Sequence, residues 1–146
     1  VLTIIGTNKN MAYRYTGSKA GATGMAQFIK PTYLAITKDY KEARLHANYE
    51  QGMYDHINAI KAMVLFFDYH SRELDQNIAK KLGINQEMLV AAYNTGPSRV
   101  IRSIQKYGIG WISQQFDLPK HRTILKEETI DYIKKFRSIK DLEIFG

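Results

Sequence analysis

The sequence contains no cysteine, three prolines and no long hydrophobic run. Without cysteine, disulfides and cysteine-based metal sites are excluded. The most apolar run, residues 62–67, ends at Asp68 and is far shorter than the roughly 20 residues that a membrane-spanning helix needs. The prolines and ten glycines form no linker, repeat or low-complexity tract. We therefore expect one continuous domain over residues 1–146, without a transmembrane segment.

A basic leader with an apolar run and a cleavage site is also missing, so location has to be inferred from function. The chain carries 21 Lys and Arg against 14 Asp and Glu, a net charge of +7. This charge favours an anionic partner, such as nucleic acid, a membrane surface or an anionic cell-wall polymer. It does not discriminate among these three classes.

Hydrophobic periodicity predicts a mainly helical protein. Between residues 54 and 70, apolar residues recur at steps of three and four, which is typical of an amphipathic helix with one buried face. That stripe consists of Ile57, Ile60, Val64 and Phe67, whereas Asp55, Asn58 and Lys61 lie off it. We therefore expect a central helix whose buried side is this stripe.

Further helices are predicted from turn and capping signals. One spans about residues 86–94, after the turn signal at 83–85, and a second begins near Pro97 and stops at Gly108. A third begins at about Lys126 and carries Ile130, Ile133 and Phe136 on one stripe. Residues 24–29 and 31–40 are interpreted as two short helices divided by Pro31. Because alternating apolar and polar runs are scarce, the predicted fold class is all-α.

Several kinds of catalytic or binding site have no support in the sequence. The four histidines show no HExxH spacing, and we expect surface or structural roles for them: His46, His56, His70 and His121. Glycine-rich phosphate loops and a GxSxG nucleophile elbow are absent. No metal site is predicted.

Three segments are informative when they are taken together. Residues 18–28 read SKAGATGMAQF, residues 91–100 read AAYNTGPSRV, and residues 128–133 read ETIDYI. In order and spacing they resemble the signature blocks of the soluble lytic transglycosylase family, S-x-x-G-A-x-G-L-M-Q, A-Y-N-x-G and E-T-x-x-Y-[VI]. Each block alone is common, but the ordered set is specific. The resemblance extends from about residue 8 to residue 136.

The resemblance implies a lysozyme-like, goose-type helical fold with the helix at residues 54–67 as its long central helix. It implies cleavage of peptidoglycan glycan strands between N-acetylmuramic acid and N-acetylglucosamine, leaving 1,6-anhydromuramic acid ends. No cofactor is expected, since that reaction needs a carboxylate and the substrate's own hydroxyl. The implied partner is the glycan strand rather than nucleic acid, and the implied location is the periplasm, the cell envelope or the cell exterior.

By the same resemblance, Tyr93 and Tyr132 lie near the catalytic acid. Five further residues are expected to bind substrate: Ser18, Met25, Gln27, Asn94 and Glu128. The side chains suit an aminosugar, because the Gln27 amide offers two donors and an acceptor, and a tyrosine combines an apolar ring with a hydroxyl. Without the resemblance, the preferred interpretation of Glu128 is a first-turn acid that complements the helix dipole.

The catalytic glutamate implied by the family is missing. Counting back about a dozen residues from Gly21 leads to Asn8 or Lys9, and the apolar residues 4–5 select Asn8. No Asp or Glu precedes Asp39, so shifting the alignment does not supply an acid. An asparagine amide cannot donate a proton at neutral pH, and losing a general acid typically costs about 10² to 10⁴ in rate. We therefore expect this chain to be a poor catalyst or none.

Three explanations of Asn8 remain open. The first is that Asn8 is an introduced substitution. The second is that the chain is a natural non-catalytic relative that still binds glycan. The third is that another acid acts instead, and Glu127 and Glu128 are the nearest acids by motif.

Two rival functions come from other classes. The first rival is a DNA-binding helix-turn-helix. It would consist of residues 82–86, the helix that follows them, a break at residues 95–96 and a basic second helix. The polar residues of that second helix are Ser98, Arg99, Arg102, Gln105 and Lys106. The second rival is a structural or adaptor domain of an envelope assembly that has this fold but binds no glycan.

Overall fold

A computed structural model describes the backbone of residues 17–144, and the side chains of residues 17–78 and 83–142. Six α-helices lie within residues 17–144: α1 (Lys30–Asp39), α2 (Tyr49–Tyr54), α3 (His56–Leu82), α4 (Gln86–Thr95), α5 (Pro97–Tyr107) and α6 (Glu127–Ile144). Short 3₁₀ turns lie at Lys41–Ala43, Gly108–Gly110, Ser113–Gln115 and Lys120–Arg122. The described residues contain two isolated β-bridges and no strand, so the predicted all-α class is confirmed. Within residues 17–144, no helix combines the length and the hydrophobicity of a transmembrane span.

Local capping signals explain where most helices begin and end. Asn85 caps α4, its side-chain oxygen accepting the Met88 backbone N–H at 3.0 Å. Pro31 and Pro97 lie in the first turns of α1 and α5, where a missing N–H costs nothing. Gly108 ends α5 with a positive φ of 57°. The predicted helices near residues 31–40, 86–94, 97–108 and 126 are therefore confirmed.

The short helix predicted at residues 24–29 is wrong. Residues 24–27 form a hydrogen-bonded turn, and helix α1 begins at Lys30. The two glycines before it and the left-handed Gln27 explain why the chain turns here instead of continuing as a helix.

The described chain forms two compact units, residues 17–66 and 67–144, and α3 contributes residues to both. The assignment of residues 1–146 to one domain stays a prediction.

Asn58 organises the polar interior of the first unit. Its side chain is buried, and its Oδ1 accepts the backbone N–H of His46 at 2.9 Å. Its Nδ2 donates to the Tyr33 hydroxyl at 3.0 Å and to the Gly52 carbonyl at 2.9 Å. One amide thus joins three segments of this unit, and each bond removes the cost of a buried unpaired polar group.

The predicted buried face of α3 is wrong in its first half. Ile57 and Val64 are 78% and 62% exposed, whereas Ala59 and Ala62 are fully buried. The buried side consists of Asn58 and these small residues, because the hydrogen bonds of Asn58 have to be made inside the unit. Periodicity identified a helix correctly, but the face was fixed by polar contacts with distant segments.

The second unit contains the larger apolar core, which is built from the C-terminal half of α3, helices α4 to α6 and the irregular segment before α6. Its fully buried members include Leu74, Met88, Val100, Trp111, Leu125 and Ile133. Helices α4 and α6 are also joined by Arg137, which donates to both carboxylate oxygens of Glu87 at 2.6 and 2.9 Å. These hydrogen bonds lower the pKa of Glu87.

Gln115 is the polar centre of this unit. It is fully buried, and its Oε1 accepts the backbone N–H groups of Ile124 and Leu125 at 2.8 and 3.0 Å. Its Nε2 donates to the Ser103 hydroxyl and to the Trp111 carbonyl. The amide therefore attaches the segment that leads into α6 to the end of α5.

We expect Gln115→Met to lower the free energy of unfolding by about 2 to 6 kcal/mol, since it leaves two backbone N–H groups without an acceptor at about 1 to 3 kcal/mol each. Urea unfolding measures the loss. Gln114→Met, at an exposed neighbouring position, is the matched control and should change stability by less than about 0.5 kcal/mol. Equal losses in the two variants would contradict this role of Gln115.

His70 gives a second prediction, on pH. Burial lowers the pKa of this imidazole from 6.5 to about 4, so the folded state keeps it neutral while the unfolded chain is protonated below pH 6.5. Above pH 6.5 the imidazole is neutral in both states, so the stability that its burial allows is fully present. As the pH falls from 6.5 toward 4, protonation of the unfolded chain lowers the free energy of unfolding by up to about 3 kcal/mol. We expect the unfolding free energy of His70→Phe to vary less with pH over this range. The exposed-site control His121→Gln should retain the full slope, and an unchanged slope in His70→Phe would refute the assignment.

Candidate functional site

The first candidate segment is the loop at residues 17–28, which belongs to the first unit. Two isolated bridges, Gly17 with Thr23 and Thr23 with Phe28, fold it back on itself. The Tyr49 hydroxyl accepts a hydrogen bond from the Thr23 hydroxyl at 2.8 Å and donates to the Phe28 carbonyl at 2.5 Å. The Ser18 hydroxyl accepts the Ala22 N–H at 3.1 Å. These bonds give an irregular loop a defined conformation.

Gln27 lies at the turn of this loop in the left-handed region, with φ of 51°. Its Nε2 donates to the Gly24 carbonyl at 2.7 Å, which stabilises a conformation that non-glycine residues rarely adopt. Gly24 itself has φ of 71°, and a Cβ there would lie 2.5 Å from the Met53 carbonyl oxygen. The loop can therefore pack this closely on α2 only with glycine at position 24. Gln27 is exposed, and Met25 is half-buried.

The second segment is the C-terminal end of α4, in the second unit. Tyr93 is half-buried, and its ring lies 5.1 Å from the ring of Phe67. Burial raises the pKa of the Tyr93 phenol far above its usual range, and nearby Tyr132 adds to the shift. Tyr93 therefore stays protonated at any physiological pH and keeps its hydroxyl as a possible hydrogen-bond donor.

The third segment is the first turn of α6, and it meets the second at one hydrogen bond. The fully buried Thr129 hydroxyl donates to Asn94 Oδ1 at 2.6 Å. With its oxygen engaged, the Asn94 amide is held in one orientation and its NH₂ group supplies the remaining donors. The structure thus brings two of the three segments into direct contact.

A cavity of about 450 Å³ lies beside these first turns of α6. It is lined by Glu127, Glu128, Asp131, Tyr132 and Lys135. Glu127 is paired with Lys120, their charged atoms 2.7 Å apart. Among the described residues, Glu128 forms no ion pair. Glu128 and Tyr132 therefore share a cavity in which a polar ligand has room.

The profile of the transglycosylase SLT domain matches residues 9–115, which is most of the chain. This chain belongs to the transglycosylase SLT domain family. No curated protein and no solved structure matches it. The matched region includes the first and second segments of this SLT domain but ends before the third.

Family membership and the helical structure together confirm the predicted recognition and the lysozyme-like, all-α fold class of the SLT domain. The roles assigned to individual residues stay predictions. Tyr93, Asn94, Glu128 and Tyr132 lie in the second unit, at the end of α4 and the start of α6. Ser18, Met25 and Gln27 share one loop of the first unit.

Asn8, the position expected for the catalytic glutamate, lies outside the described residues and just before the first residue of the family match. Within the described residues, His, Asp and Glu side chains form no group of three that could hold a metal ion.

Two contributors were missed by the sequence-based predictions. Thr129 orients Asn94, and Phe67 packs on Tyr93. Thr129 lies in the E-T-x-x-Y block, but the block pattern alone does not show which of its residues contacts Asn94. Phe67 was assigned to an apolar stripe, a pattern that carries no information about a specific partner.

We expect Thr129→Val to release Asn94, since valine keeps the shape of threonine but has no hydroxyl. The Asn94 side-chain amide signals should shift and broaden in a ¹⁵N–¹H correlation spectrum. The free energy of unfolding should fall by about 1 to 3 kcal/mol. Thr129→Ser retains the hydroxyl and should leave the Asn94 signals close to their original positions. Unchanged Asn94 signals in Thr129→Val would show that Thr129 does not position this amide.

Proposed function

We propose that this SLT domain binds peptidoglycan glycan strands, and that its parent activity is cleavage between N-acetylmuramic acid and N-acetylglucosamine with formation of a 1,6-anhydro end. The observation that carries the proposal is the hydrogen bond from Thr129 to Asn94, in a chain that belongs to the transglycosylase SLT domain family. That bond joins the A-Y-N segment to the E-T-x-x-Y segment, although the second of these lies beyond the family match. Such a link is expected if both segments serve one binding site.

The chemistry of the second unit suits an aminosugar. The fixed Asn94 amide supplies donors for a carbonyl or hydroxyl oxygen, and the neutral Tyr93 hydroxyl supplies another. Carbohydrates present both hydroxyl groups and apolar ring faces, and a tyrosine such as the half-buried Tyr93 or the exposed Tyr132 offers a partner to each. Gln27 and Ser18, in the first unit, are proposed as further polar contacts to the strand.

The net charge of +7 agrees with an anionic wall polymer as substrate. We place the site of action where peptidoglycan is found, in the periplasm or cell envelope or outside the cell. No metal or organic cofactor is needed for the proposed reaction.

Asn8 determines how much of this reaction the chain can perform. One carboxylate would protonate the leaving oxygen and then accept the proton of the muramic acid 6-hydroxyl, whose oxygen closes the anhydro ring. An amide can do neither, and residues 1–38 contain no Asp or Glu. We therefore propose that the chain binds its substrate and cleaves it poorly or not at all.

The helix-turn-helix alternative gains no support from the structure. A single residue, Gly96, separates α4 from α5, whereas a helix-turn-helix has a turn of three or four residues. Arg99, one of its basic residues, donates to the Ile124 carbonyl within its own unit at 3.0 Å.

A test of the proposed reaction is Asn8→Glu, assayed on purified peptidoglycan by mass spectrometry of the products. Restoring the carboxyl should raise activity by at least about 10², the lower end of what a general acid supplies. The products should carry 1,6-anhydro ends. Asn8→Gln has the same side-chain length without an ionisable group and should stay inactive.

The other outcomes of this assay distinguish the competing explanations. Reducing ends would identify a hydrolytic lysozyme instead of a transglycosylase. A folded Asn8→Glu variant that releases nothing would contradict the proposed register and favour a natural binding domain. Strong activity in the unmodified chain would show that another acid acts, with Glu128 the first to replace.

A further inference from the structure

A second cavity, of about 400 Å³, lies in the unit formed by residues 67–144. It shares no lining residue with the cavity beside Glu128. Its walls are mainly apolar and come from α3, α4 and α6: Phe67, Leu89, Val90, Phe136 and Ile139. A volume of this size with aromatic and aliphatic walls is typical of sites that bind small molecules.

The two polar residues of this cavity are Gln86 at the start of α4 and Lys140 on α6. Both are exposed, as is Ile139 in the apolar lining, so the amide and the ammonium group are reached from solvent. Lys140 is the one charged residue among the described residues that line the cavity. A ligand that enters between the apolar walls therefore meets a cation at the opening.

The nearby carboxylates do not neutralise Lys140 by direct contact. Glu87 is close enough for Lys140 to contribute to the lowering of its pKa, but both of its carboxylate oxygens accept hydrogen bonds from Arg137. Asp141 interacts with Arg137 and does not line the cavity. Among the described side chains, Lys140 forms no ion pair. Its ammonium group is thus available to an external anion.

We propose that this cavity binds an anionic amphiphile of the fatty-acid type, a single alkyl chain that ends in one carboxylate. The chain packs on the apolar walls, where each buried CH₂ contributes about 0.8 kcal/mol. The carboxylate pairs with Lys140 and accepts from the Gln86 amide. The proposal does not rest on the proposed glycan binding. A free amphiphile is the proposed occupant, because about 400 Å³ accommodates one alkyl chain and the single cation of Lys140 matches one carboxylate.

Phe67 connects the cavity to the candidate glycan site, because its ring also lies 5.1 Å from the Tyr93 ring. An amphiphile that packs on Phe67 is therefore expected to change the environment of Tyr93. This gives the experiment a second readout besides affinity.

The test is isothermal titration of the full chain with decanoate, below its micelle concentration. Decyltrimethylammonium, with the same chain and the opposite charge, is the matched ligand. We expect decanoate to bind about threefold to fivefold more tightly, the range that one partly exposed ion pair supplies. Lys140→Gln should weaken decanoate binding by the same factor, and Lys126→Gln, at an exposed lysine outside the cavity, should leave it unchanged.

Nuclear magnetic resonance locates the ligand. Decanoate should shift the methyl signals of Leu89, Val90 and Ile139 and the ring signals of Tyr93. Ile139→Glu, at a position that is 59% exposed and tolerates a polar residue, should abolish binding without unfolding the chain.

Four outcomes would overturn the proposal. They are no binding of decanoate, equal binding of the two charged ligands, shifts at other methyl groups, and binding that Lys140→Gln does not weaken. Sedimentation with phosphatidylglycerol vesicles that depends on Lys140, without binding of decanoate, would assign the surface to a membrane instead.

Discussion

The second unit depends on one buried amide. A buried side-chain amide is costly unless all its polar atoms are paired, and Gln115 meets this requirement by binding four groups from three separate segments. Those bonds fix residues 124–125, which lead directly into α6. They thereby position the first turn of α6, in which the Thr129 hydroxyl donates a hydrogen bond to Asn94 at the end of α4. The geometry of the candidate site thus follows from a hydrogen-bonding requirement some distance along the chain.

The first unit uses the same physical solution with different residues. Asn58 forms hydrogen bonds with three segments of this unit. The Tyr49 hydroxyl forms hydrogen bonds with Thr23 and Phe28 of the loop that carries Gln27. In both units the candidate residues lie on loops or helix ends, where backbone groups are not all paired within regular structure. Buried or half-buried polar side chains supply the missing partners, and this gives exposed residues such as Gln27 a defined conformation. Within each unit, the expected result is a set of candidate groups that are oriented before any ligand arrives.

The sequence predicted those parts of the fold that depend on local chemistry. The helices after Asn85 and Pro97 and the stop at Gly108 follow from capping signals within a few residues, and the structure has them nearly as predicted. The prediction of the buried face of α3 was wrong because Asn58 forms buried hydrogen bonds with His46 and Tyr33, which are distant in sequence. For the candidate site, the motif blocks named residues on α4 and α6, and the roles of those residues stay predictions. The contacts of Thr129 and Phe67 depend on tertiary packing, which a motif does not encode.

We propose that the chain binds a glycan strand through oriented amides, although Asn8 stands where the family resemblance places a carboxylate. The most direct test is a titration of the ¹⁵N-labelled chain with an N-acetylglucosamine–N-acetylmuramic acid oligomer, followed by nuclear magnetic resonance. We expect saturable shifts of the Gln27 and Asn94 side-chain amides and an affinity that falls about fivefold to 150-fold in Asn94→Ala, the loss expected for one unpaired group. The exposed Asn77 provides a control, and Asn77→Ala should bind as the unmodified chain does. An absence of shifts at both amides, or equal affinities in the two alanine variants, would show that these amides do not bind the strand.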